Sequence, residues 1–500
     1  MDSYWYNAKA IEGFSTEDVK DWQIYRSLVL GARDRFKGIP NVGVRNGGSL
    51  KINGDAPMTI NDFYTETHGN EMQYTAQMWS KCDNVSINGK VCLGYYTSAN
   101  SWYYISLPFN AKVSDITTQN NAQFAVRYYD GAARAANGVG ASWKNYHADD
   151  IITAGTGFIL QTNKEGWVYF NGQDDESKQY IVSNKEFVKK LEANISTVPA
   201  NNGWNLVGNP YQSYYNAHKL NFTAPITLWD RNNRTYKAYS LIDDDIAIQP
   251  SQAFFVQCPD EVESISFPLE GRQLTSVIES QTAAAPMNSI GAPARQIADI
   301  ELSQGDLVDQ TRVVINDEAS MAYEMACDAS KFMSDDQQVP QLYSLDYEGL
   351  AYAINERPLA DGEVALGFYA AQEGVFTLKA KRNNFEHLFL IDHVTGTTTD
   401  IASQAYHFSS EAGTFNARFT LSVMPSSEVT GVDDVVATQQ SIQVNGNAVT
   451  LVGNGMANIF TTDGKQYGQY TVTGEQTITL PIGVYVVSFN HTNTKVTINR

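Results

Sequence analysis

Residues 203–212 read GWNLVGNPYQ, setting a Trp, a Gly, an Asn and a Pro around a short apolar run. A plain strand needs neither the Gly nor the Pro. The reason for them lies a hundred residues upstream. WYYISLPF, residues 102–109, lies over WNLVGNPY, residues 204–211, without a gap, matching Trp102 to Trp204, Ile105 to Val207, Pro108 to Pro210 and Phe109 to Tyr211. Downstream, FAVRYYDGAAR (124–134) parallels APITLWDRNNR (224–234), SWKNY (142–146) parallels TYKAY (235–239), and ITAGTGFILQ (152–161) parallels IQPSQAFFVQ (248–257). The order is kept and the spacing drifts by only a few residues, which is the signature of a duplicated structural unit. Each copy reads as a strand, a loop, a strand closing on an aromatic-Asp turn, a strand, and a turn into an apolar strand.

In this frame Trp204 packs in a core, Gly208 permits a bulge or a close backbone approach, and Pro210 ends the strand. Asn209-Pro210 starts a turn. The competing reading is a carbohydrate platform of Trp and Tyr rings, although a Trp on an alternating apolar strand is more often core. If rings do bind a ligand, the candidates lie in the loops after the first strand of each copy: Tyr103 and Tyr104 in one, Tyr211, Tyr214 and Tyr215 in the other.

The rest of the 500-residue chain is too long for one core. Aromatics make up 12% of it, with 28 Tyr, and strand-like runs recur between turn signals such as Asn53-Gly54, Asn88-Gly89 and Asp463-Gly464. The expected fold class is mainly β and multidomain: tandem β-sandwich units with a duplicated β repeat and a C-terminal Ig-like sandwich. Residues 1–95 read as a short helix, its period running over 15–36, plus β-solenoid-like strands. PNVGVRNGGSLKINGDAPMTINDF (40–63) has the look of the last coils of a solenoid or of a sheet edge. The repeats occupy 96–180 and 197–272, with a second helix expected over SNKEFVKKLEA (183–193) between them. A linker rich in Ala, Ser and Pro follows at 275–297, then a β-sandwich at 298–424, then a small C-terminal sandwich at 432–500.

A net charge of −20 argues against nucleic acid and anionic lipid as partners. No apolar run is long enough to span a membrane, and the N-terminus has no basic and apolar segments of the signal-peptide kind. The four cysteines form no C-x-x-C pair; a Cys82–Cys92 disulfide around Asn88-Gly89 would need a longer loop than a two-residue hairpin. Among seven His there is no H-E-x-x-H, and the chain has neither a G-x-S-x-G elbow nor a phosphate loop. No catalytic residue, cofactor or metal site is therefore expected. His387 and His393 share one expected hairpin, and QDDES (173–177) and IDDDI (242–246) are acidic clusters. For all three, solvated loop groups are the commoner explanation than a metal or calcium site.

The C-terminal residues TTDGKQYGQY (461–470), LPIGVYVVSFN (480–490) and the closing TKVTINR resemble the C-terminal sorting domains of secreted Bacteroidetes proteins. The matching positions are Asp463, Gly464, Gly483, Val484, Tyr485 and Lys495; the Pro-Asn-Pro start usual in that family has no match around Gln440–Val444. WNLVGNPY with QPSQAFFVQ, and LFLIDHVTGTTTDI with YHFSSEAGTFNARFTL, are also similar to stretches of large Bacteroidetes exoproteins, so the resemblance covers roughly residues 96–500. It implies an Ig-like module read by the type IX secretion machinery, with an extracellular or outer-membrane-surface location. The partner it implies is the outer-membrane secretion and anchoring machinery; the Tyr and Trp content points separately to a glycan or host surface. The missing signal-peptide segments and the abrupt solenoid-like start suggest that Met1 is internal to a longer product. The resulting expectation is a non-catalytic region of a secreted or surface protein, acting as stalk, adhesin scaffold and export signal. The alternative is a carbohydrate-binding accessory module of a polysaccharide-degrading exoprotein.

Overall fold

The structure, a computed structural model, describes residues 21–31, 39–54, 57–81, 85–138, 142–258, 262–278, 295–359, 362–423, 441–445, 447–461, 465–489 and 492–498. The chain divides into two compact units, residues 1–425 and 426–500. The described residues are mainly β throughout.

The first unit opens as stacked parallel coils. Asp21–Ile24, Ile39–Val44 and Met58–His68 pair in parallel, Trp22 beside Val42 and Val42 beside Phe63. Ser27–Leu30, Ser49–Ile52 and Gln77–Ser80 form a second parallel ladder, Leu28 beside Leu50 and Leu50 beside Met78. Buried Val42, Val44, Leu50, Ile52, Ile60, Phe63 and Met78 fill the interior. The helix expected over 15–36 is thus overturned for residues 21–30. Trp22 and Ile24 point inward with period two, a bend at exposed Tyr25 and Arg26 skips one inward position, and the inward positions resume at Leu28 and Leu30. That corner imitates a helical period, whereas the ladder satisfies the backbone. The part of that expectation falling on residues 15–20 and 32–36 lies outside the described residues. The Asn88-Gly89 turn makes no hairpin either: Val85–Ile87 and Val91–Thr97 both run parallel to Met58–His68. Cys92 is a free thiol, and Cys82 lies outside the described residues.

The duplication is explicit in the sheets. Trp143–Asn145, Phe124–Tyr129, Gly157–Thr162 and Tyr103–Ser106 stand in that order in one four-stranded sheet. Thr235–Tyr239, Ile226–Asp230, Ala253–Gln257 and Trp204–Gly208 stand in the same order in another. Registers match as well. Ile105 faces Phe158 as Val207 faces Phe254, Val126 faces Leu160 as Ile226 faces Val256, and Tyr129 faces Trp143 as Trp229 faces Tyr236. The helix expected over 183–193 is instead a strand, Phe187–Lys190, paired antiparallel with Ser264–Phe267. It stands to the second copy as Val91–Thr97, paired with Gly166–Asn171, stands to the first. Its charged run KEFVKK buries Phe187 and leaves Val188 exposed, a period of two that outweighs the helical propensity of Lys and Glu.

The copies meet about a local two-fold. Ile105 bridges Gln252 while Val207 bridges Thr156, and Ser106 N donates to Ser251 O while Gly208 N donates to Gly155 O, both at 3.0 Å. These are the same contacts with the copies exchanged. Such self-complementarity is what a two-fold interface requires.

Beyond the repeats, eleven strands from Gln296–Gln304 to Gly413–Ser422 form one sheet around a core that includes Ile300, Leu342, Leu366, Phe368, Phe376, Phe408 and Phe419. The second repeat is tied to it by ion pairs. Arg312, 4% exposed, donates to both Asp244 oxygens at 2.8 Å and to Asp299 at 2.6 Å. Arg295 spans Asp243 and Glu356 at 2.7 and 2.5 Å. The acidic cluster 242–246 is therefore largely a clasp rather than a solvated loop. In 173–177, Asp175 caps the following 3-10 turn through Ser177 N, while Asp174 is exposed and pairs with Lys178.

Among the described residues the C-terminal unit has five antiparallel strands around Val449, Leu451, Ile459, Val472, Tyr485, Val487 and Val496.

Candidate functional site

The opening stretch is architecture residue by residue. Trp204 is 2% exposed, sends Nε1 to Ala200 O at 2.8 Å and meets Phe332 edge-on at 4.6 Å. A Cβ on Gly208 would lie 2.2 Å from the Ser106 Cβ. Asn209 Nδ2 donates to Ser213 O at 2.8 Å and Gln249 O at 3.0 Å, stapling two turns together. Tyr211 Oη donates to Phe267 O at 2.7 Å, and Gln212 Nε2 donates to Ala76 O of the parallel coils at 2.8 Å.

This corrects the expected ligand rings of the second copy. Tyr211, Tyr214 and Tyr215 are buried, and the Tyr215 hydroxyl is spent on Pro268 O at 3.0 Å. Turn aromatics after a strand end pack inward here because the neighbouring strands Ser264–Phe267 and Arg272–Gln273 close over them. They offer no face to a ligand.

Tyr103, itself buried, and half-buried Tyr104 lie elsewhere, in the wall of a cleft of about 480 Å³, counting its open mouth. Three parts of the first unit build it. Gly69, Met72 and Tyr95 come from the coils, Trp102 to Tyr104 from the first copy, and Trp229, Arg231 and Gln249 to Ala253 from the second. Each part is held by its own local chemistry. Asp230 Oδ1 accepts from Asn232 N at 2.9 Å and Asn233 N at 3.2 Å, tightening the turn that presents Trp229 and Arg231. Gln252 Oε1 accepts from Gln249 N at 2.9 Å, and Ser251 adopts φ 59°, the left-handed conformation that Gly155 supplies at the matching position with φ 66°. The Tyr103 hydroxyl accepts from Ser98 N at 2.6 Å and donates to Asn70 Oδ1 at 2.5 Å.

Tyr95, Trp102, Tyr103, Tyr104 and Trp229 bring aromatic rings to a lining that is otherwise largely polar. Trp229 stacks on Tyr104 with centroids 5.4 Å apart, and the Tyr104 and Tyr236 hydroxyls share a 2.5 Å hydrogen bond. Burial pushes the Tyr104 hydroxyl well above its ordinary pKa, so it stays protonated. Arg231 lies over the Tyr103 ring at 4.9 Å. Among the described residues the lining holds neither Asp nor Glu. Such a cleft binds by stacking and hydrogen bonding.

Sequence reading passed over Trp102, Trp229, Arg231 and Ser251 as site residues. The signal was available in the alignment of the copies: Arg231 replaces Gly131 and Ser251 replaces Gly155, two departures from symmetry at adjacent turns.

His387 and His393 do not converge. His387 Nδ1 lies 2.9 Å from Asp400 Oδ2, and His393 Nε2 lies 2.8 Å from Thr420 Oγ1. Among the described residues no three His, Cys, Asp or Glu side chains gather as metal ligands. Of the C-terminal motif, Asp463 and Gly464 lie outside the described residues. Gly483 and Val484 open the strand Gly483–Phe489, Tyr485 is buried there, and exposed Lys495 sits on the partner strand opposite Val486.

A family model described as a domain of unknown function (DUF8693) matches residues 213–423, which run from the second repeat through the eleven-stranded sheet. The match thus spans both sides of the Arg312–Asp244 clasp. No curated protein matches the chain. Among the described residues no helix is long and apolar enough to cross a membrane.

Proposed function

We propose that this chain is a non-catalytic region of a secreted or cell-surface bacterial protein, a stalk or adhesin scaffold that carries its own export and anchoring signal. The observation that carries this reading is the separate C-terminal unit. It has its own core, and the Gly483-Val484-Tyr485 strand pairs on both sides, with Ala448–Thr461 and Thr492–Ile498. A signal read as a folded module must close its own hydrophobic core, and this unit does. The resemblance to type IX sorting domains supplies the location.

The test is to express the chain behind a Sec signal in a Bacteroidetes host, with and without residues 426–500. The full chain should reach the surface or medium, and the shortened chain should stay in the periplasm. Equal distribution of the two would sink the export role.

A second reading, a carbohydrate-binding accessory module, is favoured by the aromatic cleft between Trp102, Tyr104 and Trp229. Sugar rings present apolar C–H faces that stack on such surfaces while their hydroxyls take amide and hydroxyl partners.

A further inference from the structure

The two-fold between the repeats should generate two clefts, and one of them is filled. The counterpart of the open cleft lies between Trp204 and Tyr129. There Arg134, 1% exposed, sets its guanidinium 4.9 Å from the Trp204 ring and 4.3 Å from the Phe332 ring, and donates to Tyr129 Oη and Ala200 O. Gly131 closes that wall: a Cβ on it would lie 2.2 Å from the Trp204 carbonyl oxygen. The chain has supplied its own occupant.

In the open cleft the position of Gly131 belongs to Arg231. Its Nη1 donates to Gly69 O at 2.9 Å and to Asn70 Oδ1. Its Nη2 and Nε find no acceptor, and Arg231 forms no ion pair, among the described residues. A half-buried cation without a counter-charge among the described residues lacks an anionic oxygen partner.

We infer that the open cleft binds a carboxylated pyranose, with the sugar ring on the Trp102 and Trp229 side and the carboxylate on Arg231. The inference rests on the carbohydrate-binding reading and sharpens it. A guanidinium offers two parallel N–H groups that match a carboxylate. Half-buried Gln249 and Gln252 line the same cleft and supply side-chain amides for hydroxyls. The net charge of −20 opposes densely sulfated chains, which leaves isolated carboxylates as the favoured anions. A hexuronate and a sialic acid share this chemistry.

The experiment is titration of the full chain by calorimetry and tryptophan fluorescence. The probes are trigalacturonate, its methyl ester, 3′-sialyllactose and neutral maltotriose. At least one acid should bind about tenfold or more tighter than the neutral sugars, as expected for a charge-assisted bidentate contact. Arg231→Gln should reduce acid binding to the neutral level, Arg231→Lys should fall between, and Trp229→Ala should abolish the fluorescence response. The ester comparison is made on the unaltered protein, so it decides the matter even if Arg231→Gln fails to fold. Preference for trigalacturonate over 3′-sialyllactose, or the reverse, assigns the source of the carboxylate. Equal binding of trigalacturonate and its ester would overturn the carboxylate assignment and leave the carbohydrate reading standing. No binding of any of the four, with no fluorescence change, would overturn both.

Discussion

Gly208 lies against Ser106 across the axis that relates the two repeats, so closely that a Cβ on Gly208 would come within 2.2 Å of the Ser106 Cβ and 3.0 Å of Gln252 O. Backbone hydrogen bonds on both sides, Ser106 N to Ser251 O and Gly208 N to Gly155 O, hold the approach. The neighbour is a short side chain bonded to fixed backbone and cannot yield far. Gly208→Ala should therefore destabilise the first unit by about 1–3 kcal/mol through overpacking. Urea unfolding measures it. Ser106→Gly in the Gly208→Ala background should recover much of the loss, since the two positions share one space. An additive double variant would mean the axis is looser than described.

How much of this was legible beforehand depends on the kind of signal. The repeat was legible because matched strands keep matched residues: Ile105 and Val207 both pair with a Phe, and Tyr129 and Trp229 both pair with an aromatic. The solenoid corner at Tyr25 and Arg26 was not, because two short inward strands separated by a bend copy a helical spacing. The cleft was half legible. Tyr103 and Tyr104 follow from the strand, but Trp229 and Arg231 reach it from a turn more than a hundred residues away. Tyr211 and Tyr215 misled because aromatic content says nothing about which face a later strand will cover.

The matched turns Thr153–Thr156 and Gln249–Gln252 give an asymmetric prediction. Both need a left-handed third residue, Gly155 in one and Ser251 in the other. Ser251→Gly relieves about 1 kcal/mol of backbone strain. It also loses the 3.2 Å contact of its hydroxyl with Thr67 Oγ1, a hydrogen bond worth about the same. The change should stay within about 1 kcal/mol of zero. Gly155→Ser adds the strain and places a Cβ 2.3 Å from the Phe187 ring, so it should cost about 2 kcal/mol or more. Parallel urea titrations check the pair. Equal losses would remove the equivalence of the two turns.

Lys331 and Asp309 are both buried, at 0% and 1% side-chain exposure, with Nζ 2.5 Å from Oδ2. Asp309 also accepts from Leu342 N at 2.8 Å. Lys331→Met strands a carboxylate in the interior and should cost about 3–5 kcal/mol, whereas Lys331→Met with Asp309→Leu should recover a large part of it. Chemical denaturation of the three proteins tests this. A double variant worse than the single one would show that the Leu342 N–H contact outweighs the ion pair.

Asp328 gives the molecule a pH-dependent stability of unusual sign. Burial, with Glu356 and Glu324 adding to it, pushes its carboxyl up to about 7, although Oδ2 accepts from Glu324 N and Oδ1 from Glu356 N. The unfolded chain releases this proton near the ordinary value of 3.8. Between about pH 4 and 7 the folded state therefore holds more protons than the unfolded one, and stability falls as pH rises. Full separation of the two values corresponds to roughly 4 kcal/mol at the outside. Other groups act in the opposite direction: Asp392, held low by hydrogen bonding to Arg418 against its burial, adds stability above the ordinary carboxylate range and loses it in acid. Subtracting a variant isolates the one group. Asp328→Asn carries a fixed cost, because its amide opposes one of the two backbone N–H groups, but it cannot titrate. The stability advantage of the unaltered chain over Asp328→Asn should be largest at about pH 4 and below, shrink between about pH 4 and 7 and be flat above that. A difference that stays constant across this range would mean that Asp328 is ionised in the folded protein throughout.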